Sequence, residues 1–349
     1  MQDPSNQTGP IADGRPSVTL VVPVFNEAAL LAANLATLVA YLQGLSDRYR
    51  WEMLIVDDGS TDSSADIAIE FAARNPGVRV IRHPRNFRLG QALRFAFPQC
   101  KTDYVVTFDA DLSYSTDHIE RMLDALQANR ARVVVASPYM PGGKTTGVAP
   151  FRLLVSKAAN RFLSLASKSS VRTVTGLVRA YDRRFLESLN LKAMDNEINA
   201  EIIYKAELLR AGIIEIPAHL DWSHLPDRRP TGLRFRRITL GFAFTGFLFR
   251  PFMFFIIPGL LALFMAALLG FLLVTHVLER EAIVYAMLFA FIVAVQFIVG
   301  GLISAQNKRY FEEMFHMTTS IRRSVRDLAN PEPLVNPPAA PEIKTPPTP

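Results

Sequence analysis

The segment Tyr104-Val105-Val106-Thr107-Phe108-Asp109-Ala110-Asp111 decides the fold. Its first five residues are β-branched or aromatic, which predicts a buried strand. The two aspartates follow directly, so they lie at the carboxyl edge of the sheet, where open α/β sheets bind ligands. Carboxylate oxygens at this spacing suit a hard cation such as Mg²⁺ or Mn²⁺, which in turn binds a diphosphate. Taken alone, an Asp-x-Asp motif is weak evidence, because aspartate is common in turns.

Two earlier stretches repeat this pattern of a strand followed by polar residues. A strand predicted at 17–23 leads into Pro-Val-Phe-Asn-Glu at 23–27, and a strand predicted at 51–56 leads into Asp-Asp-Gly-Ser-Thr-Asp at 57–62. Helical periodicity follows at 27–45, and a second helix extends to about residue 74. By itself, the 57–62 stretch is better explained by a turn and a helix N-cap.

Further strands predicted at 78–81 and 133–136 and helices predicted at 90–97 and 118–128 continue the alternation. This order predicts an α/β fold with a doubly wound, mainly parallel sheet. The carboxyl ends of parallel strands meet at one edge, so the three polar clusters are expected to converge on one crevice. A dinucleotide site of the dehydrogenase type is excluded, because no Gly-x-Gly-x-x-Gly follows the first strand.

The composition divides the chain along its length. We expect a disordered N-terminus (1–16), a soluble domain (17–228), a basic amphipathic juxtamembrane segment (229–250), two transmembrane helices within 251–304, a cytoplasmic segment (305–329) and a Pro-rich disordered tail (330–349). The stretches 251–275 and 282–304 contain no charged residue, and each is long enough to cross a hydrocarbon core of roughly 30 Å. A buried helical hairpin of a large soluble protein is the alternative.

Basic residues flank this pair of apolar stretches on its outer sides. Six arginines lie between positions 228 and 250, and five Lys or Arg lie between 308 and 326, whereas the connecting loop 276–281 has one Arg and two Glu. The positive-inside rule therefore predicts a multi-pass protein of the cytoplasmic (inner) membrane with its soluble domain in the cytoplasm. The polar residues 1–17 lack the features of a signal peptide, which agrees with the prediction that the soluble domain lies in the cytoplasm.

The charge and the cysteine count limit the partners. The 349 residues carry a formal net charge of +6 and one cysteine, Cys100. A single cysteine excludes an internal disulfide and fits a reducing compartment. The basic residues cluster beside the apolar stretches and are not interleaved with base-stacking aromatics in the soluble part, which argues against nucleic acid. They suit the anionic surface of a lipid bilayer.

Taken together, the motifs resemble those of the family-2 glycosyltransferases, specifically the polyprenyl-phosphate sugar synthases typified by dolichyl-phosphate mannose synthase. The resemblance covers roughly residues 18–220. Besides the three polar clusters, the matching segments are Asn-x-x-x-Gly-x-Ala at 86–92, Tyr-Met-Pro-Gly-Gly at 139–143, Arg-x-x-x-Ser-x-x-x-Asn at 152–160, Thr-Gly-Leu-Val-Arg-Ala-Tyr at 175–181, Glu201, and Glu-Ile-Pro at 215–217.

The resemblance implies a GT-A-like fold and an inverting sugar transfer. It further implies a UDP- or GDP-linked nucleotide-sugar donor, a polyprenyl phosphate acceptor and Mg²⁺ or Mn²⁺ as cofactor. The membrane hairpin fits a bacterial or archaeal subgroup. Because hairpins of this kind often assemble side by side, it also predicts a homo-oligomer.

Roles for individual residues follow from the same resemblance. The residues that would contact the nucleotide are Pro23, Phe25, Glu27, Val56, Asp57 and Asp58. Asp109 and Asp111, on either side of Ala110, would hold the metal and the diphosphate, while Arg152 and Ser156 would hold the acceptor phosphate, since phosphate recognition prefers arginine. Glu201 would either line the site or only orient its neighbours by hydrogen bonding.

The chain departs from the family pattern at three positions. Ser113 stands where many members have a glutamine as a third metal contact. Pro138 replaces an arginine that would be a phosphate ligand. Ser223 lies where an arginine is expected, and Arg228 or Arg229, a little later, would close over the diphosphate or would face lipid headgroups.

Other classes of protein remain as alternatives. A processive polysaccharide synthase has a similar core, but it usually carries Gln-x-x-Arg-Trp and several more spans, which this chain lacks. A membrane-anchored protein that binds a nucleotide sugar without catalysis would keep the same crevice, although the intact Asp-x-Asp argues against it. A third alternative is a nucleic-acid-binding protein, whose affinity for DNA would fall steeply as the salt concentration rises.

Overall fold

The structure is a computed structural model that describes residues 14–167, 169–223, 251–274 and 280–329. Within these ranges the strands are β1 (Ser17–Val24), β2 (Arg50–Asp57), β3 (Val78–Arg82), β4 (Tyr104–Thr107), β5 (Val133–Ser137), β6 (Lys144–Thr146), β7 (Arg179–Asp182), β8 (Ile213–Pro217) and β9 (His219–Asp221). The helices are α1 (Ala28–Gly44), α2 (Ser64–Arg74), α3 (Leu89–Ala96), α4 (Asp117–Ala128), α5 (Pro150–Ser167), α6 (Arg183–Ser188), α7 (Glu197–Leu208), α8 (Pro251–Val274) and α9 (Arg280–Ala329).

Several predicted segments lie outside the described residues. They are most of the N-terminus predicted to be disordered at 1–16, the juxtamembrane segment 229–250 and the tail 330–349. Arg228 and Arg229 also lie outside the described residues, so their predicted role over the diphosphate stays a prediction.

The main sheet has seven strands in the order β3-β2-β1-β4-β7-β5-β8. Strands β3, β2, β1 and β4 are mutually parallel, and β5 is parallel to β8, whereas β7 runs antiparallel to both β4 and β5. The prediction of a mainly parallel, doubly wound sheet is therefore confirmed. Chain order reverses between β1 and β4, which creates the switch point at which such sheets bind ligands. The antiparallel β7 and the small sheet of β6 and β9 were not predicted.

Both faces of the sheet are covered, because its strands are apolar on both sides. Helix α1 buries Leu31, Leu35, Leu38 and Leu42 completely on one face, and each buried leucine contributes about 2 kcal/mol. Helices α3 and α7 cover the other face. Leu30, at the margin of this apolar face, is 36% exposed.

Helices α8 and α9 contain two stretches, Phe254–Val274 and Ile283–Thr318, that are long and apolar enough to cross a membrane. Only 11% and 17% of their most apolar windows are buried, whereas a core helix of a soluble protein would be mostly buried. The helices pack antiparallel, with Phe255 against Gly301 and Gly270 near Met287. A Cβ added at Gly301 would lie 3.1 Å from the Cβ of Phe255, so the absence of a side chain permits this close packing.

The second long helix continues well beyond its apolar part and contacts the soluble domain. The Tyr204 hydroxyl of α7 donates a hydrogen bond to Glu312 Oε1 at 3.3 Å. The Lys205 ammonium lies 5.3 Å from the ring centroid of Phe315, within the range of a cation–π contact. The segment predicted as a cytoplasmic extension at 305–329 is thus helical and holds α7 against the hairpin.

Candidate active site

The loops after β1 and β2 are joined by side-chain hydrogen bonds at the carboxyl edge of the sheet. The backbone N–H of Asn26 donates to Ser60 Oγ at 3.0 Å, and that of Glu27 donates to Ser64 Oγ at 2.9 Å. In return, Asn26 Oδ1 accepts from the backbone N–H of Thr61 at 2.8 Å. The polar clusters 23–27 and 57–62 therefore form one rigid wall, as the predicted convergence requires.

Three loops at this edge contain a residue in the left-handed backbone region. They are Asn26 (φ 56°), Arg88 (φ 76°) and Leu112 (φ 51°). Asparagine tolerates this conformation, but for leucine and arginine it is strained, and such strain concentrates at ligand sites. Asn26 just before a helix was the one signal in the sequence that could have predicted this geometry.

Asp58 uses its carboxylate to hold the β3–α3 loop. Its oxygens accept hydrogen bonds from the backbone N–H of Phe87 at 3.0 Å and of Arg88 at 2.7 Å, and they contact His83 Nδ1 at 2.8 Å. The adjacent Gly59 has φ +69°, and a Cβ there would lie 2.2 Å from the carbonyl carbon of Arg85. Asp58 thus shapes the wall of the crevice in this structure.

The other residues predicted for the nucleotide differ in their exposure. Pro23, Phe25 and Glu27 are partly exposed. Asp57 is fully buried, where it accepts from the Ser60 N–H at 3.3 Å and pairs with Arg82 Nε at 3.3 Å. Val56 lies in the hydrophobic core, so that only its backbone could face the crevice.

The Asp-x-Asp loop follows β4 and is held from two sides. Asn34 Nδ2 of α1 donates to the Ala110 carbonyl at 2.8 Å. The N–H of Ser113 donates to Asp111 Oδ1 at 3.0 Å, and the Ser113 carbonyl accepts from the N–H of Asp221 at 2.8 Å. Asp109 is partly exposed and Asp111 is 9% exposed, so the pair lies at the carboxyl edge of the sheet with Asp109 nearer the solvent.

Beneath this pair lies the fully buried phenol of Tyr114. Burial raises its pKa well above 10, and the nearby carboxylates of Asp109 and Asp111 raise it further. The phenol therefore stays neutral and adds no negative charge below the acidic pair.

Arg179, the first residue of β7, is also fully buried and donates to the carbonyls of Asn199 at 2.7 Å and Val174 at 2.6 Å.

The donor set fits a divalent cation that is completed by substrate oxygens. Among the described residues, no group of three or more His, Cys, Asp or Glu side chains forms a closed metal cage. Mg²⁺ is usually bound by one or two carboxylates together with substrate phosphates and water, which is what a rim pair of aspartates offers. Asp109 and Asp111 would hold the ion, while Ser113 is 3% exposed and uses its backbone to shape the loop.

The residues predicted to bind the acceptor, Arg152 and Ser156, lie on α5. The Arg152 guanidinium carbon lies 5.0 Å from the ring centroid of Trp222, which follows directly after Asp221. Ser156 Oγ lies 2.8 Å from the Tyr139 hydroxyl. Arg152 is therefore linked to the Asp-x-Asp loop through Trp222 and Asp221, and Ser156 is paired with Tyr139 of the 139–143 motif. The sequence did not single out Trp222.

Glu201 serves as a local organiser within α7. Its carboxylate accepts hydrogen bonds from the backbone N–H groups of Lys192 at 2.9 Å and Ala193 at 2.8 Å, and it pairs with Lys205 Nζ at 2.5 Å. Lys192 and Ala193 are followed in the chain by Asp195, which pairs with Arg88 Nη1 of the β3–α3 loop at 2.6 Å. Glu201 thus supports the β3–α3 loop, and its predicted place in the binding site stays a prediction.

A buried histidine connects α4 to this region and predicts a pH dependence of stability. His118 Nδ1 contacts the Ser115 carbonyl at 2.8 Å, and its Nε2 accepts from the N–H of His219 at 3.3 Å. Burial lowers the pKa of His118 below 6.5, opposed by its contact with the Ser115 carbonyl and by Asp117. The unfolded chain therefore binds more protons between the two pKa values.

We expect the stabilising effect of neutral His118 to be complete above about pH 6.5 and to fall as the pH drops toward the folded pKa. Thermal unfolding of the full chain in detergent between about pH 5 and pH 8 should show this slope, and the His118→Gln variant should have a shallower one. Equal slopes for the two proteins would contradict the assignment.

The fold is an α/β domain of GT-A type with two aspartates at the switch point of its sheet. Residues 19–189 match the family model "Glycosyl transferase family 2". The chain carries a domain of this family, and it is a glycosyltransferase.

Individual relatives are similar at modest identity. The "Polyprenol monophosphomannose synthase" of Mycolicibacterium smegmatis is 29% identical over 205 residues, which cover 57% of this chain and 75% of that protein. The "Undecaprenyl-phosphate mannosyltransferase" of Micrococcus luteus is 26% identical over 221 residues, covering 62% and 88%. The "Dolichol-phosphate mannosyltransferase" of Pyrococcus furiosus is 27% identical over 202 residues, covering 57% and only 55%.

Solved structures show the same fold. Glucosyl-3-phosphoglycerate synthase from Mycobacterium tuberculosis, in complex with Mn²⁺, UDP-glucose and phosphoglyceric acid, superposes with a TM-score of 0.52 at 18% identity, covering 68% of this chain and 80% of that one. At this level of identity the likeness establishes the architecture alone.

Proposed function

We propose that the chain transfers a sugar from a UDP- or GDP-linked donor to a polyprenyl phosphate, with inversion, at the cytoplasmic face of the membrane and with Mg²⁺ or Mn²⁺. The observation that carries this proposal is the link between the Asp-x-Asp loop and α5. The N–H of Asp221 donates to the Ser113 carbonyl, and Arg152 lies over the ring of the adjacent Trp222. One short segment would thus join a metal site of Asp109 and Asp111 to a phosphate site of Arg152 and Ser156.

The relatives support the choice of substrates. Several of them are named for the transfer of a sugar to polyprenol, dolichol or undecaprenyl phosphate. The synthase from Mycobacterium tuberculosis, which shares the fold, has been crystallised with Mn²⁺ and UDP. Both facts are consistent with a metal-assisted nucleotide-sugar reaction on the crevice of this chain.

The proposed chemistry needs little proton transfer. An acceptor phosphate has a second pKa near 6 and is mostly ionised at neutral pH, so its oxygen can attack the anomeric carbon without a strong general base. The bond from that carbon to the leaving diphosphate breaks as the new one forms, which inverts the anomeric centre and converts an α-linked donor into a β-linked product. A bound Mg²⁺ or Mn²⁺ stabilises the charge that develops on the departing diphosphate.

The membrane hairpin would hold the soluble domain close to the surface of the bilayer. The first apolar stretch begins beside the soluble domain, where Phe254 packs against Phe162, and the part of α9 that follows the second stretch's most apolar residues contacts α7. A polyprenyl chain is confined to the bilayer and presents its phosphate at the headgroup plane, so the catalytic crevice has to lie near that plane. The basic residues beside the spans would attract the anionic lipid.

The role of Arg152 leads to a kinetic prediction. The Arg152→Lys variant keeps the positive charge but loses the planar fork that binds phosphate and stacks on Trp222. We expect the KM for polyprenyl phosphate to rise about 30-fold, whereas the KM for the nucleotide sugar changes less than about twofold. Arg161→Lys, an exposed position on the same helix, is the matched control. An unchanged acceptor KM in Arg152→Lys would show that another group binds the phosphate.

The proposed function is tested by transfer of label between phases. Membranes that contain the full chain are incubated with polyprenyl phosphate and a panel of radiolabelled nucleotide sugars, with and without a chelator. We expect one label to enter the organic phase and the transfer to stop on chelation. No transfer from any donor of the panel would refute the proposal.

Two alternatives predict different products. A processive polysaccharide-type enzyme would move the label into a polymer that stays out of the organic phase. A non-catalytic nucleotide-sugar-binding protein would retain the donor without releasing nucleoside diphosphate. The same assay therefore separates the three functions.

A further inference from the structure

Asn160 of helix α5 is 1% exposed, and both ends of its side-chain amide are hydrogen-bonded inside the domain. Its Oδ1 accepts from the backbone N–H groups of Val174 at 2.7 Å and Thr175 at 3.0 Å. Its Nδ2 donates to the Ser156 carbonyl, one turn earlier in α5, at 2.9 Å and to Thr175 Oγ1 at 3.1 Å. This one side chain therefore fastens α5 to the segment 173–178, which leads into β7.

The 173–178 segment is also held from within the core. The carbonyl of Val174 accepts from Nη2 of Arg179 at 2.6 Å, and Arg179 is fully buried. The two polar groups of the Val174 backbone are thus bound by two different side chains, the N–H by Asn160 and the carbonyl by Arg179. Because buried backbone groups are costly to leave unpaired, these bonds fix the position of the segment.

The same segment is bound to the strand that precedes the acidic pair. Thr107 Oγ1 donates to the Leu177 carbonyl at 2.6 Å, and Thr107 is fully buried at the end of β4. Thr107 also pairs with Arg179 in the antiparallel register of β4 and β7. Asp109 follows Thr107 by two residues. Hydrogen bonds therefore connect α5 to the strand before Asp109 through the interior of the domain, and this connection does not involve Trp222.

We propose that Asn160 is a positioning residue that sets the placement of Ser156 relative to Asp109. Ser156 lies four residues before Asn160 and hence on the same face of α5, so a shift of the helix at Asn160 also moves Ser156. Asn160 is buried and its amide is fully used within the protein, so it acts through Ser156 and not by contact with a substrate. This role rests on the proposed function, in which Ser156 would hold the acceptor phosphate and Asp109 the metal.

The expected effect follows from the geometry of the proposed reaction. Attack by the acceptor phosphate requires the two reacting atoms to lie about 3–3.5 Å apart, and a displacement of about 1 Å can lower the rate about 100-fold. Without the Asn160 amide, the N–H groups of Val174 and Thr175 lose their acceptor and α5 loses its attachment to the 173–178 segment. Transfer to the acceptor should therefore suffer, whereas the proposed donor site lies on other loops and should keep its affinity.

The kinetic test compares transfer with hydrolysis of the donor by water. In hydrolysis water replaces the phosphate as the nucleophile, so the products are the free sugar and the nucleoside diphosphate, and α5 takes no part. We expect Asn160→Ala to lower kcat for transfer about 50-fold, while the rate of hydrolysis and the KM for the nucleotide sugar change less than about twofold. An unchanged rate of transfer would overturn the proposal. Equal losses of transfer and hydrolysis would also overturn it, because they would indicate a merely structural role.

Two control variants separate positioning from a general loss of stability. Asn129→Ala removes an asparagine that also donates to a carbonyl one turn earlier, that of Ala125 at 2.9 Å, but on the exposed surface of α4. Ser188→Ala removes a buried hydrogen bond of α6, in which Ser188 Oγ donates to the Phe185 carbonyl at 2.6 Å. We expect both controls to keep the wild-type ratio of transfer to hydrolysis. A similar fall of this ratio in Ser188→Ala would overturn the proposal.

Thr175→Val provides a milder change in case Asn160→Ala does not fold. It removes the hydroxyl that lies 3.1 Å from Asn160 Nδ2 and keeps both backbone hydrogen bonds to Asn160 Oδ1. We expect kcat for transfer to fall about threefold with no change in donor hydrolysis. An unchanged ratio of transfer to hydrolysis in this variant would count against the proposal.

Hydrogen exchange tests the attachment itself and requires no activity. The full chain in detergent is followed by mass spectrometry of peptides that cover residues 173–178. We expect the amides of Val174 and Thr175 to exchange at least about tenfold faster in Asn160→Ala than in the wild type, because they lose their acceptor. Equal exchange in the two proteins would overturn the proposal. Absence of transfer in the wild type would instead refute the proposed function and would leave this exchange result unchanged.

Discussion

The Asp111→Asn variant is expected to lose at least about a thousandfold in the rate of sugar transfer while keeping its fold. The substitution preserves the size of the side chain and an oxygen that can accept from the Ser113 N–H, now 3.0 Å from Asp111 Oδ1. It removes one of the two negative charges at the rim of the crevice. The proposed cation would then be held by Asp109 alone, and the developing charge of the diphosphate would be poorly stabilised.

The measurement combines transfer of label to the organic phase with the binding of Mn²⁺, followed by its electron paramagnetic resonance signal. We expect weaker Mn²⁺ binding and an unchanged thermal midpoint of unfolding. Asp66→Asn, an exposed acidic residue in the first turn of α2, controls for the loss of one charge. Retention by Asp111→Asn of more than about a tenth of the wild-type rate would remove this residue from the proposed metal site.

The sequence predicted the central strands and the sheet class because their signals are local. Each predicted strand, from 17–23 to 133–136, is an apolar run that ends in turn residues, and its ends agree with the structure within one residue. The antiparallel β7 follows no such rule, since Arg179 breaks its apolar pattern. An arginine is expected at a surface, but here its two terminal nitrogens donate to the carbonyls of Asn199 and Val174 within the core.

The site was predictable in its acidic part and not in its supporting contacts. Asp109 and Asp111 were found from their position after a strand, which is a property of the chain alone. The contact of Arg152 with Trp222 joins residues 70 positions apart, and nothing in the local pattern of either residue indicates it. The same holds for Asp58, whose carboxylate binds the backbone of Phe87 and Arg88. Its predicted contact with the nucleotide stays a prediction.

The Glu201→Gln variant is expected to lower the free energy of unfolding of the soluble domain by about 3–5 kcal/mol. Glu201 is 8% exposed and Lys205 is 4% exposed, and their charged groups are 2.5 Å apart. Burial lowers the pKa of Lys205, and the carboxylate of Glu201 opposes that shift. Without the carboxylate, the buried ammonium would lose its counter-charge, and the N–H groups of Lys192 and Ala193 would lose a strong acceptor.

The cost should appear as a drop of about 10 °C in the thermal midpoint of the full chain in detergent. Glu207→Gln, a partly exposed position on the same helix, is the matched control and should change little. The double variant Glu201→Gln/Lys205→Met removes the uncompensated charge and should recover part of the loss. No recovery in the double variant would mean that the backbone acceptors, and not the ion pair, account for the effect.

The same variant should also affect donor binding, because Glu201 holds the segment that supports the β3–α3 loop. The N–H of Gln91 donates to the Met194 carbonyl at 3.2 Å, and a Cβ at Gly90 would lie 2.6 Å from the carbonyl oxygen of Ala193. This tight packing transmits any displacement of the Ala193 segment to Arg88 and thus to Asp58. We expect the KM for the nucleotide sugar to rise about tenfold below the unfolding temperature, with the KM for the acceptor unchanged. A rise in both values would instead indicate a general loosening of the domain.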